Sequence, residues 1–356
     1  MPSADVSGSA SRPHRAGVVA GFAEHGVARL EDTSVTAQSP PRVATFGESM
    51  ALLSSSCPGS LALQPTLNLS TGGAEGNVAI GLARLGARVT WLGRIGNDSL
   101  GERVARDLRA ENVETLAIVD DNAHTGLMLK ERPAPDRITV TYYRAASAGS
   151  RLSAADVEQL RIHEFDLLHL TGITPALSPS CRDAMAVALR VANETGIPVS
   201  FDVNYRSRLW PAEIASPVLR EFAANATILF AGEDEAALIT GVGAEAGPTA
   251  QLEAMAALGP EQVILKRGER GACALIDGSL YEQPPHPVAV VDTVGAGDAF
   301  VAGYLVEVLT GRSPSRRLLT ATRAGAFACS NPGDWEGAPR VADLAAMTGA
   351  ADPVRR

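Results

Sequence analysis

Asp298 stands directly behind two glycines, in Gly295-Ala296-Gly297-Asp298, and that order of residue types suits one kind of chemistry. Glycines at 295 and 297 let the backbone turn sharply and bring N–H groups up to a ligand with no side chain between them. The run from Ala299 to Leu309 carries apolar residues at helical spacing, so the loop opens a helix whose positive end lies behind those N–H groups. Such a cradle suits phosphate oxygens. A carboxylate at its mouth is repelled by phosphate; it fits a base that takes a proton from an attacking hydroxyl. Gly295, Ala296, Gly297 and Asp298 form the candidate catalytic group, with a plain helix N-cap as the other reading of Asp298.

A second glycine-rich loop, Gly72-Gly73-Ala74-Glu75-Gly76-Asn77, feeds a second short helix that closes at Gly86. Simple turn chemistry would account for it. Asn77, a donor and an acceptor at the head of that helix, also suits recognition of hydroxyl or carbonyl groups.

The elements that must carry these loops alternate. Strands are expected near 42–46, 89–92, 167–170, 199–203, 228–231, 263–266 and 272–276, with helices between them at 99–111, 180–195 and 252–258. Strand and helix in alternation predict a largely parallel sheet covered on both faces, with ligands beyond the strands' C-terminal ends. Two regions break the pattern. Residues 51–69 and 125–143 are β-rich pieces around turn formers, expected to make a small side sheet.

With 356 residues the chain can bury a full core, and its 46% hydrophobic and 20% charged content is that of an ordinary globular enzyme. A net charge of −9 argues against a general nucleic-acid binder, and no apolar run is long enough to span a bilayer. The four cysteines, 57, 181, 273 and 329, lie too far apart for zinc or redox pairs and read as reduced thiols of a cytoplasmic protein. Residues 1–40, rich in Ser, Pro, Ala and Gly, are expected to be a disordered extension ahead of a domain at 41–350. The apolar patch Ala16–Ala23 is short for a secretory leader and has no convincing cleavage signal behind it.

Gly72-Gly73-X-X-X-Asn77, Gly93-X-Ile-Gly-X-Asp98 and Asp292-Thr-X-Gly-Ala-Gly-Asp298, in this order, resemble the ribokinase-like (PfkB) carbohydrate kinase family from about Arg42 to about Asp343. Tyr142-Tyr143-Arg144, Ser147–Ser150, Gly172–Ser178, Asp202–Arg206 and Gly333–Pro339 are similar to its 2-keto-3-deoxygluconate kinases. The resemblance implies a three-layer α/β/α fold with a mostly parallel central sheet and a small β-sheet lid. It implies ATP and Mg²⁺ as cofactors, a small sugar acid as acceptor, and a homo-oligomer formed through the lid.

By matching positions, Gly73, Ala74, Glu75, Gly76, Asn77, Tyr142, Arg144, Ile173, Arg206, Asp298 and Asp334 would bind the sugar acid. Asn204, Arg206, Lys266, Arg267, Gly268, Gly271, Ala272 and Gly295 to Asp298 would bind the nucleotide, and Glu235 would reach the metal through water. Arg144 and Arg206 make an acid acceptor reasonable on physical grounds, since guanidinium groups pair with carboxylates. Two positions depart from the family: Met128 stands where an aromatic residue is usual and reads as packing, and Gly232-Glu-Asp-Glu235 keeps the acid of Asn-X-X-Glu but not its amide. A fructokinase, ribokinase or other deoxy-keto acid kinase, or a non-catalytic sugar sensor of the same fold, are the competing readings.

Overall fold

A computed structural model describes residues 39–55, 57–134 and 137–347. The expectation for residues 1–40 falls almost wholly outside them, as do the last three residues of the expected domain. By contacts the chain divides into Met1–Ser39 and Pro40–Arg356, and all that follows concerns the second unit.

In chain order the strands are β1 (Arg42–Phe46), β2 (Met50–Ser55), β3 (Leu67–Gly72), β4 (Arg88–Gly96), β5 (Val113–Asp120), β6 (Leu127–Ala134), β7 (Arg137–Tyr143), β8 (Leu167–Thr171), β9 (Val199–Asp202), β10 (Ile228–Gly232), β11 (Gln262–Lys266), β12 (Ala272–Ile276) and β13 (Ser279–Gln283). Among the described residues they form a nine-stranded sheet, β13-β12-β11-β10-β9-β8-β1-β4-β5, and a four-stranded sheet, β3-β2-β6-β7. The large sheet is parallel from β5 to β11, and its antiparallel edge is the short meander β11-β12-β13.

Helices cover both faces because strands such as β1 and β8 are apolar on both sides. One core cluster joins Phe46, Leu168 and Phe201 to the helix Pro179–Thr195; the other joins Trp91, Phe230 and Ile264 to the helices Ala74–Arg84 and Ala296–Leu309. Tyr304 and Phe300 meet the Phe230 ring edge-on, fixing the second of those helices over the sheet.

Two of the boundaries that differ from expectation bear on the site. β4 runs on through Gly93–Gly96, so that motif is strand rather than loop, and Asp98 caps the next helix through Gly101 N while also accepting from Thr125 N. Helix Ala296–Leu309 begins three residues early, with Gly295 at its N-cap, so Asp298 sits in the first turn.

The small sheet packs Met50, Leu52, Met128, Val140 and Tyr142 together on one face. β2 and β6 pair in parallel while both outer pairs are antiparallel, so segments far apart in sequence form one surface.

Candidate active site

A cavity of about 800 Å³ opens where β8, β9, β10 and β11 end, bounded on the other side by the small sheet. Asp298 and Asn77 are its chemical centre. Gly295 enters the cradle at φ 75°, and a Cβ there would lie 1.7 Å from the Asp334 carbonyl oxygen, so only glycine allows the turn. The turn aims the first N–H groups of Ala296–Leu309 at the cavity. Asp298 spends no oxygen on capping that helix; its Oδ2 instead accepts from Asn77 Nδ2 at 2.7 Å. This removes the N-cap reading.

Gly73 at φ 151° brings the second loop against the Glu48 carbonyl oxygen, and a Cβ there would lie 2.4 Å from that atom. The helix Ala74–Arg84 thereby starts at the cavity and presents Asn77 one turn in.

Burial raises the Asp298 carboxyl to about 7, with the nearby Asp202 charge adding to the rise; Asn77, Arg206 and Lys266 pull the other way. A carboxyl near neutrality is suited to accepting a proton. Lys266, at the end of β11, places its Nζ 2.7 Å from both oxygens of Asp202. Burial opposes its charge, but Asp202 and Glu235 outweigh burial and hold the ammonium above its ordinary pKa.

Of the expected substrate residues, Gly73, Ala74, Asn77, Tyr142, Arg144, Ile173, Arg206, Asp298 and Asp334 line this one cavity. Glu75 and Gly76 do not. The Glu75 carboxyl turns inward, where Oε1 accepts from Thr171 Oγ1 at 2.7 Å and Thr174 Oγ1 at 2.6 Å, and burial raises its pKa. Gly76 faces Ser49 instead. A helix turns about 100° per residue, so Glu75 and Gly76 leave the face that Ala74 and Asn77 share.

Of the expected nucleotide residues, Asn204, Arg206, Lys266, Gly295, Gly297 and Asp298 line the cavity. Ala296 packs against the cluster of Ala299, Ala324 and Ala328. Arg267 is drawn off to Glu233 at 3.3 Å and Glu282 at 3.4 Å, Gly268 and Gly271 shape the turn from β11 to β12, and Ala272 is core. These four lie outside the cavity wall. Glu235 lines it, yet each of its oxygens already accepts a backbone N–H, from Tyr205 at 2.9 Å and Gly232 at 2.7 Å.

No described group of three or more His, Cys, Asp or Glu side chains is arranged to hold a metal ion. A magnesium ion arriving with nucleotide phosphates fits such a wall, because Mg²⁺ keeps waters and takes few protein ligands. Asp202, Glu233, Asp234 and Glu235 line the same cavity with carboxylate oxygens.

Sequence reasoning missed Glu48 and Lys130. Glu48, buried behind β1, accepts Arg144 Nε at 2.7 Å, lies 2.6 Å from Nη2, and takes the Ser147 hydroxyl. Arg144 also lies over the Tyr142 ring. The only sequence signal for Glu48 was an acid directly after a buried strand. Met128, read as packing, both packs and lines the cavity.

Residues 41–340 match the model of the pfkB family carbohydrate kinases. The chain is 34% identical over 316 residues to the 2-dehydro-3-deoxygluconokinase of Bacillus subtilis, covering 86% of this chain and 95% of that one. It is 32% identical over 291 residues to the 2-dehydro-3-deoxygalactonokinase of Haloferax volcanii, covering 82% and 91%. Among solved structures it is similar to the 2-dehydro-3-deoxygluconokinase of Thermotoga maritima, with a TM-score of 0.81, 28% identity, and 87% and 99% of the two chains covered.

Proposed function

The chain belongs to the pfkB family of carbohydrate kinases and is an ATP-dependent sugar kinase, and on that premise we propose that its acceptor is 2-keto-3-deoxy-D-gluconate, phosphorylated at the C6 hydroxyl. The observation that carries this reading is the sharing of one cavity by Asp298, Arg144 and Arg206. A proton acceptor and two guanidinium groups in one cavity suit an acid that also carries a reactive hydroxyl; a neutral sugar has no use for the second guanidinium.

Arg206, with Arg144 held by Glu48, receives the carboxylate, and Asn77 and Asp334 receive hydroxyls. Asp298 takes the C6 hydroxyl proton as the new O–P bond forms and the bond from the γ-phosphorus to ADP breaks. The cradle N–H groups from Gly295 to Asp298 face the charge that gathers on the transferring group. Glu235 would help hold Mg²⁺ through water, and the ion would supply neutralisation of phosphate charge. Asn204 lies between acceptor and nucleotide. The small sheet acts as a lid that keeps water from competing with the acceptor.

The similarity to gluconate-type and galactonate-type relatives, at 34% and 32% identity, supports acceptance of both epimers. Exposed Leu67, Leu69 and Tyr143 on the small sheet support pairing of subunits through it. No helix among the described residues is long and apolar enough to cross a membrane.

A coupled ADP-release assay with Mg-ATP and a panel of acceptors tests the reading. Turnover is expected on 2-keto-3-deoxygluconate and its galactonate epimer, with phosphorus on C6 by NMR. Equal kcat/KM on fructose or ribose overturns the sugar-acid assignment, and no turnover on any acceptor favours a sensor.

A further inference from the structure

One face of β6 carries Met128, Lys130 and Arg132 at alternate positions, and the three reach different parts of one apparatus. Met128 lines the cavity. Lys130, only 7% exposed, places Nζ 2.6 Å from Asp292 Oδ2 and 3.5 Å from Asp334 Oδ1. Arg132 Nη2 donates to the Val291 carbonyl at 2.7 Å.

Asp292 is itself tied into the cradle. Its Oδ1 accepts from Val294 N at 3.1 Å, and its Oδ2, the oxygen facing Lys130, accepts from Gly333 N at 3.3 Å. Asp334, the second partner, lines the acceptor cavity, and its carbonyl oxygen is the atom against which Gly295 turns. An ammonium this deeply buried is costly unless its partners hold it. Here both partners belong to the parts that handle phosphate and sugar.

We propose that Lys130 is a positioning residue for phosphoryl transfer: it ties the small sheet to the Asp292–Gly297 loop, so that acceptor pocket and phosphate cradle keep one relative geometry. The inference rests on the kinase reading above for its kinetic consequence, but not for its structural one. Lys130 touches no reacting atom; it acts through Asp292 and Asp334.

The test uses the full chain with Mg-ATP and whichever acceptor the wild type phosphorylates. Lys130→Met is expected to lower kcat tenfold or more while KM for ATP stays within threefold, and Lys130→Arg to keep at least a third of wild-type kcat. Lys130→Met leaves Asp292 buried without its cation, so the variant loses thermal stability. The double variant Lys130→Met/Asp292→Asn removes both charges and is expected to recover melting temperature without recovering kcat. Amide exchange across 293–297 is expected to quicken in Lys130→Met and not in Lys130→Arg. A Lys130→Met kcat within twofold of wild type, or kcat returning together with melting temperature in the double variant, overturns the proposal. If the wild type phosphorylates no acceptor, the kinase reading falls while exchange at 293–297 still decides Lys130: unchanged exchange overturns the tether.

Discussion

Asn77 Nδ2 donates to Asp298 Oδ2 across 2.7 Å, joining the heads of two helices whose residues stand 221 positions apart. Both helices begin at a glycine in the left-handed half of backbone space, and both glycines pack against backbone oxygens. The amide holds the carboxylate beside the glycine turn at Gly295.

Replacing Asp298 by Asn removes the proton acceptor and is expected to lower kcat by about 10²- to 10⁴-fold with little change in KM. The same variant should be more stable. Because the folded pKa is raised from 3.8 to about 7, the native state keeps a proton that the unfolded chain has lost between those values. Stability contributed by this group is therefore lost as pH rises through that window, and the cost is full above about pH 7. Since Asp298 is only partly buried and lines an open cavity, the gain in Asp298→Asn at pH 8 is expected at about 1–3 kcal/mol, vanishing toward pH 4. Thermal melts at both pH values check the sign; a variant with near-normal turnover refutes the base.

Asn77 lowers the Asp298 pKa by donating to its charged form. Asn77→Ala should therefore raise it, moving the acid limb of the kcat/KM profile to higher pH. At pH 7 the loss is expected to be about tenfold more than at pH 9, since the base is then mostly protonated at the lower pH. An acid limb that stays in place shows that the amide does not tune the base.

Arg206 is exposed, lines the cavity and, among the described residues, donates only to its neighbour's carbonyl, whereas Arg144 is buried against Glu48. Arg206→Ala is expected to raise KM for the sugar acid about 10- to 100-fold, with ATP affinity changing less and stability hardly at all. Arg144→Ala should lose affinity and also about 3–5 kcal/mol of stability, because Glu48 is left buried and unpaired. In Arg144→Ala/Glu48→Gln the stability should return and the affinity should not. Calorimetric melts and acceptor titrations separate the two effects.

The glycine-rich loops, the carboxylate behind the second of them and the alternation of strand and helix were legible because each is local. Turn geometry demands glycine at 73 and 295, and apolar periodicity reports which faces are buried, whatever lies across the gap. The small sheet was legible as two β-rich interruptions of that alternation.

Sequence could not say which way a side chain on a shared loop turns. Glu75 and Asn77 are two residues apart, yet one points into the core toward Thr171 and the other into the cavity. Nor could it pair Glu48 with Arg144, 96 residues on, or Lys130 with Asp292, 162 residues on. The chain's own chemistry thus determined that a glycine turn would open a helix with a carboxylate in its first turn. Only the packing of the two sheets decided which charges stand opposite one another, because a charge's partner is set by distance in space, and spacing along the chain carries no record of that distance once the intervening strands have folded.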